Sequence, residues 1–99
     1  MRVISRTRLR EFCEIHADAC EALYAWYKVA CRADWQNLLE VQKAYPKAES
    51  VGNLTVFNIK GNRYRLIVDL IYPKRRIYIK YVLTHTQYDK DNWKNDPYF

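Results

Sequence analysis

Two glycines and three prolines are all the chain-breaking residues in 99 positions, and no repeat or low-complexity stretch is present. Against 49% hydrophobic residues and 15 aromatic rings, that scarcity excludes a disordered or collagenous chain. At this length one small domain, residues 1–99, is expected, with room for a surface site but not for a cofactor cleft between two domains. No apolar run approaches the roughly 18 residues a membrane span needs, so no membrane partner is expected. The basic start Met1-Arg2-Val3-Ile4-Ser5-Arg6 leads into no apolar signal stretch, which predicts a cytoplasmic protein.

Familiar catalytic signatures are missing too. G-x-S-x-G, H-E-x-x-H and the P-loop are absent, and no pair of carboxylates stands out for hydrolytic acid–base work. Cys13, Cys20 and Cys31 form no C-x-x-C, and the nearby His16 has no second histidine to match it, so neither a metal centre nor a cofactor is expected. An odd count in a cytosolic chain predicts reduced thiols. Their spacings of 7 and 11 approximate whole helical turns, so all three can share one face as small core hydrophobes.

What the chain has in excess is positive charge. Seventeen Lys and Arg against 11 Asp and Glu give +6 and a sequence pI near 9.3. That balance favours a polyanionic partner, although charge also serves solubility.

The pattern divides the chain in two. Met1–Ile4 reads as a short strand. Leu9, Phe12, Cys13, His16, Cys20, Leu23, Tyr24 and Tyr27 mark an amphipathic helical region over 7–32, with Ser5 or Thr7 as its cap. A break is expected near Ala17-Asp18, where Asp18 can cap a second piece, and Asp34 is the expected cap of a short helix over 36–44. Tyr45-Pro46 ends it, because a residue before proline leaves the helical region. From there β-branched and aromatic residues alternate. Strands are predicted over 54–59, 63–69 and 76–82, with turns at Lys60-Gly61-Asn62 and Tyr72-Pro73-Lys74-Arg75. Thr84–Asp89 begins a C-terminal segment of one or two helical turns. Helices followed by an antiparallel meander are the α+β pattern, with the first strand expected at one edge of the sheet.

Alternation sorts the meander's side chains. Tyr64, Leu66 and Val68 share one face and Arg63, Arg65 and Ile67 the other. In the next strand Ile77, Ile79 and Tyr81 are assigned to the helix side, and Arg76, Tyr78, Lys80 and Val82 to the other. Between Lys60 and Lys80 stand seven basic residues and one acid, Asp69. A sheet face mixing Arg, Lys and Tyr suits single-stranded nucleic acid, whose phosphates it neutralises and whose bases it stacks. An ordinary solvated face is the alternative. His85 is either structural or a proton carrier near neutral pH, beside cations that can hold a phosphate in the transition state. The RNA 2′-OH supplies its own nucleophile, so such a site needs no metal. His16 falls on the helical stripe and reads as a core or boundary residue. No helix clusters base-reading residues, so autonomous DNA binding is not expected.

The segments Val56-Phe57-Asn58-Ile59-Lys60-Gly61-Asn62-Arg63-Tyr64-Arg65-Leu66, Ile77-Tyr78-Ile79, Thr84-His85-Thr86-Gln87-Tyr88-Asp89 and Trp93 resemble the HigB toxins of bacterial type II toxin–antitoxin systems, within the RelE-like superfamily. Ala25-Trp26-Tyr27 and Tyr45-Pro46 resemble the family's helical half. The resemblance implies a RelE-like fold and a ribosome-dependent mRNA interferase that cuts message in the ribosomal A site through the 2′-OH. It implies a HigA-type helix-turn-helix antitoxin as partner, with operator DNA bound only through the complex. A non-catalytic module that blocks translation by occupying RNA or ribosome is the alternative. On the interferase reading, Arg65 and Lys80 stabilise the scissile phosphate, His85 transfers a proton and Tyr88 aligns it or the substrate. Lys60, Arg63, Arg76 and Tyr78 contact the RNA; Asn62 either does so or only shapes its turn. Gln87 stands where the family pattern has an acid.

Overall fold

A computed structural model describes all 99 residues. Strand β1 (Arg2–Ile4) precedes helices α1 (Thr7–Ile15), α2 (Cys20–Arg32) and α3 (Leu38–Ala44). Strands β2 (Glu49–Val51), β3 (Leu54–Ile59), β4 (Tyr64–Ile71) and β5 (Arg76–Thr84) follow, then α4 (His85–Asp89) and a 3-10 turn at Asn92–Asn95. The five strands form one sheet in the order β1-β5-β4-β3-β2. All pairings are antiparallel except that β1 runs parallel to β5 at one edge. This is the expected α+β arrangement, compatible with a RelE-like fold.

The helices cover one face. Leu9, Leu23, Trp26, Ala30 and Val41 pack on Phe57, Leu66, Val68, Ile77 and Ile79, all essentially inaccessible to water. The opposite face carries a smaller apolar patch of Leu54, Val56, Ile67 and Trp93. Trp93 comes from the C-terminal segment, which folds back over the sheet. The face expected to be wet is therefore partly covered.

Local details depart from the sequence reading. The break between α1 and α2 is a 3-10 turn at Ala17–Ala19, and Asp18 caps neither helix. Neither Ser5 nor Thr7 caps α1, whose N-terminal flanking residue is Arg6 with no side-chain cap. Asn37, not Asp34, caps α3, accepting the Glu40 N–H at 3.0 Å. Asp34 instead pairs with Arg75 at 3.2 Å. In the β3–β4 turn the left-handed residues are Lys60 and Gly61, at φ 52° and 64°, rather than Asn62. Strand β2 escaped the sequence reading altogether. Cys13 and Cys20 meet across the α1–α2 junction with their sulfurs in contact and Cα atoms 5.1 Å apart, while Cys31 is exposed. Three separate thiols on one helical face are thus not what the fold produces.

One correction matters for the site. The β4–β5 register shifts between Ile67, opposite Tyr81, and Val68, opposite Ile79. Lys80 is the extra residue of a β-bulge, and a bulge reverses the facing of everything beyond it. Tyr81 therefore joins Trp93 and Ile67 on the C-terminal side, and Val82 turns toward the helices, the reverse of strict alternation. The Arg8 guanidinium of α1 donates to the Lys80 carbonyl at 3.0 Å, tying the bulge to the helical layer.

Candidate nucleic-acid site

Arg65 sits in β4 and is 9% exposed. Its Nη1 donates to the carbonyls of Asn62 and Tyr64 at 2.9 and 3.2 Å, and the Tyr88 ring lies over its Cζ at 5.3 Å. No carboxylate lies within ion-pairing distance, whereas Lys60, Arg63 and Lys80 each have one. A buried charge is ordinarily paired. Nε and Nη2 have no protein partner, yet neither is sealed from solvent. The arrangement is a fixed guanidinium with two donors free for an incoming anion, the geometry that suits phosphate.

Helix α4 brings His85 and Tyr88 to this spot. Thr84 caps it through a reciprocal pair of bonds with Gln87, its hydroxyl accepting the Gln87 N–H at 3.2 Å and the Gln87 side chain accepting the Thr84 N–H at 3.0 Å. Gln87 thus serves the backbone, a task that glutamine and glutamate both perform. The His85 N–H donates to the Arg63 carbonyl at 3.0 Å, which anchors α4 beside the start of β4. His85 Nδ1 lies 3.0 Å from Asp89 Oδ2 one turn on. With a hydrogen on Nδ1 for that bond, neutral His85 carries its lone pair on Nε2. Tyr88 stacks on Trp93 at 5.3 Å between ring centroids. Burial, with a smaller contribution from Glu49, raises the Tyr88 hydroxyl above its ordinary pKa, so it remains a donor at neutral pH.

Lys60 and Arg63 lie at the near end of the sheet, both tied to Asp18 Oδ2 at 3.4 and 3.1 Å. The Tyr64 hydroxyl donates to Asp18 Oδ1 at 2.6 Å. That bond, with the two cations, lowers the Asp18 carboxyl below its usual range, and the same bond raises Tyr64. His16 is half-buried, stacked on Phe12 and tilted toward Tyr64, a boundary residue as expected.

Lys80 keeps different company. Its Nζ lies 3.4 Å from Asp96 Oδ2 and 4.5 Å from the Tyr98 ring centroid. It lines a cavity of about 370 Å³ with Arg8, Asp69, Tyr78 and Tyr98. Arg65 lines no cavity with it, and the register sets Arg65 opposite Leu83, three residues beyond Lys80. That is about 10 Å along the strand, more than one phosphate bridges. Arg65, Tyr88 and Asn62 are therefore in contact, with His85 on the same short helix as Tyr88 and its backbone bonded to Arg63; Lys60 and Arg63 flank them. Lys80 and Tyr78 form a second group, and Arg76 lies farther on, paired in register with Ile71 and Arg2.

Sequence reasoning missed Asp18, Asp89, Asp96 and Tyr98. Asp89 had a signal, its i, i+4 spacing from His85 on a helical turn. The others meet their partners only through long-range folding.

The family model that matches the chain describes a RelE-like toxic component of a toxin–antitoxin system, the HigB toxin, and covers residues 19–91. A curated relative from Escherichia coli O6:H1 (strain CFT073), named mRNA interferase HigB, is 25% identical over 93 residues, spanning 91% of this chain and 90% of its own.

Proposed function

The chain belongs to the HigB family of RelE-like toxins, and from that premise we propose that it is a ribosome-dependent mRNA interferase. Membership makes it the toxin of a toxin–antitoxin system, with an antitoxin as partner. On our reading it acts in the cytoplasm, is neutralised by a HigA-type helix-turn-helix protein, and reaches operator DNA only within that complex. The relative's name, mRNA interferase, supports endonuclease activity.

The observation that carries the reading is Arg65: a fixed, nearly buried cation with no acid partner, under the Tyr88 ring of the short helix that also carries the half-exposed His85. The proposed reaction is transesterification. The RNA 2′-oxygen attacks the adjacent phosphorus, the 2′-OH proton passes to His85 Nε2, and the bond to the 5′-oxygen breaks. The products are a 2′,3′-cyclic phosphate and a 5′-hydroxyl, the latter taking a proton from water as it leaves, while His85 afterwards returns its own proton to solvent. Arg65 offers Nε and Nη2 to the phosphoryl oxygens as charge accumulates there. Asp89 fixes the imidazole tautomer, and Tyr88 holds the guanidinium plane and donates from its hydroxyl. Lys60, Arg63 and Asn62 lie where the flanking backbone passes, with Tyr78, Arg76 and Lys80 farther along the same sheet.

Mapping new 5′ ends on translated message tests this. Wild type should produce discrete cuts on ribosome-bound RNA, and His85→Ala should remove them. Arrest of translation with no new ends in wild type would favour simple occupancy instead.

A further inference from the structure

Asp96 and Tyr98 lie beyond the family-matched residues and sit directly on Lys80. The Asp96 side chain is only 6% exposed. It accepts the Tyr81 hydroxyl at 2.7 Å, faces the Lys80 ammonium at 3.4 Å and accepts the Tyr98 N–H at 2.8 Å. Burial works against its ionisation, yet these donors outweigh burial and hold the carboxyl below its ordinary value. Two of the three donors, Tyr81 and Lys80, belong to β5 and stay in place if the C-terminal segment moves. The Tyr98 ring is 63% exposed and stacks against the ammonium from the open side. A carboxylate and an aromatic ring, side by side on a lysine, have the chemistry of a nucleotide's phosphate and base.

We propose that the Lys80 cavity is a second nucleotide subsite, for a phosphodiester and base of single-stranded RNA away from the scissile bond, and that Asp96 and Tyr98 occupy it as internal stand-ins. This rests on the RNA-directed reading above but not on catalysis. The bulge creates the seat: it turns Tyr81 to the same side as Lys80, so a hydroxyl and an ammonium from consecutive residues converge on one anion. Arg8 adds a second cation to the cavity wall, which carries one acid, Asp69. Tyr78, on the same wall, offers a further ring surface for a base.

The test is binding of a fully 2′-O-methylated RNA hexamer, which lacks the attacking hydroxyl, to the full chain by fluorescence anisotropy over a range of salt. Asp96→Asn keeps the shape and the acceptor for Tyr81 but removes the competing charge. It should bind the probe more tightly and steepen the slope of log K against log salt by about 0.7, one extra single-strand phosphate contact. That gain should vanish in Asp96→Asn/Lys80→Ala. Tyr98→Ala, at an exposed position, should also tighten binding. No steepening, or a gain that survives loss of Lys80, overturns the subsite; unchanged affinity in Tyr98→Ala overturns the ring's part. The probe is uncleavable and no ribosome is present, so failure of the cleavage proposal leaves this result standing, and the reverse.

Discussion

The Tyr88 ring lies over the Arg65 guanidinium, 5.3 Å from Cζ, and Trp93 stacks on the same ring. The cation is thus held by an aromatic ring from the C-terminal segment and by two backbone carbonyls.

Arg65→Ala should therefore lower message cleavage by about 10²–10³-fold, the usual cost of losing one preorganised donor to developing charge. Arg65→Lys should recover little, because an ammonium cannot keep both carbonyl bonds and present a planar fork. Primer extension on translated message reads the rate, and circular dichroism checks that both variants fold.

His85→Ala should remove about 10²–10⁴-fold of the rate, in line with loss of a general acid–base group. Asp89→Asn should cost less, since the His85–Asp89 pair is half exposed and water competes for the same bond. The informative comparison is the ratio of the two losses in the same assay. Equal losses would mean that Asp89 does more than orient the ring.

Asp18 and Asp96 both titrate below the ordinary 3.8 in the folded chain. A depressed carboxyl contributes stability that is present above its unfolded pKa and is lost as pH falls through the folded one. Thermal unfolding of wild type should accordingly weaken below about pH 4. Asp96→Asn should melt below wild type near neutrality, and the gap should close in acid. Tyr64 and Tyr81 act at the other end: their pKa values are raised chiefly by bonds to these same carboxylates, so their contribution is lost as pH rises past 10. A gap between variant and wild type that is constant with pH would contradict the assignment.

Leu66 is fully buried between the sheet and the helices. Leu66→Ala should cost about 2–5 kcal/mol by urea unfolding, from lost transfer energy and the cavity left behind. For a domain that is marginal by size, this is a large fraction of total stability. The exposed Leu39→Ala, 72% accessible, should change little by comparison.

Much of this architecture was legible in the residues. Leu54–Ile59 was placed to the residue, and the helix-facing set Tyr64, Leu66, Val68, Ile77 and Ile79 followed from alternation because that face is buried. Alternation failed at Lys80, since a period of two carries no mark of an inserted residue. Asp34 and Asn37 are equally good caps by composition, and only the path of the chain into α3 chose between them. The basic cluster was legible as charge, but not its division: the acids that partner Lys60, Arg63 and Lys80 lie 42, 45 and 16 positions away in the chain. Arg65 is named beside Lys80 from the sequence, and only the fold separates the two, by leaving Arg65 without such a partner.

The bulge has a further meaning for how this protein can vary. Removing Lys80 would restore regular pairing between β4 and β5 without turning Tyr81 or Val82 to the wrong side, because both already sit in phase with Ile67 and Leu66. A one-residue length change there is nearly silent for packing but adds or deletes a positive charge beside the sheet. Kin that differ by a single gap at this point would share a scaffold yet grip their polyanion differently.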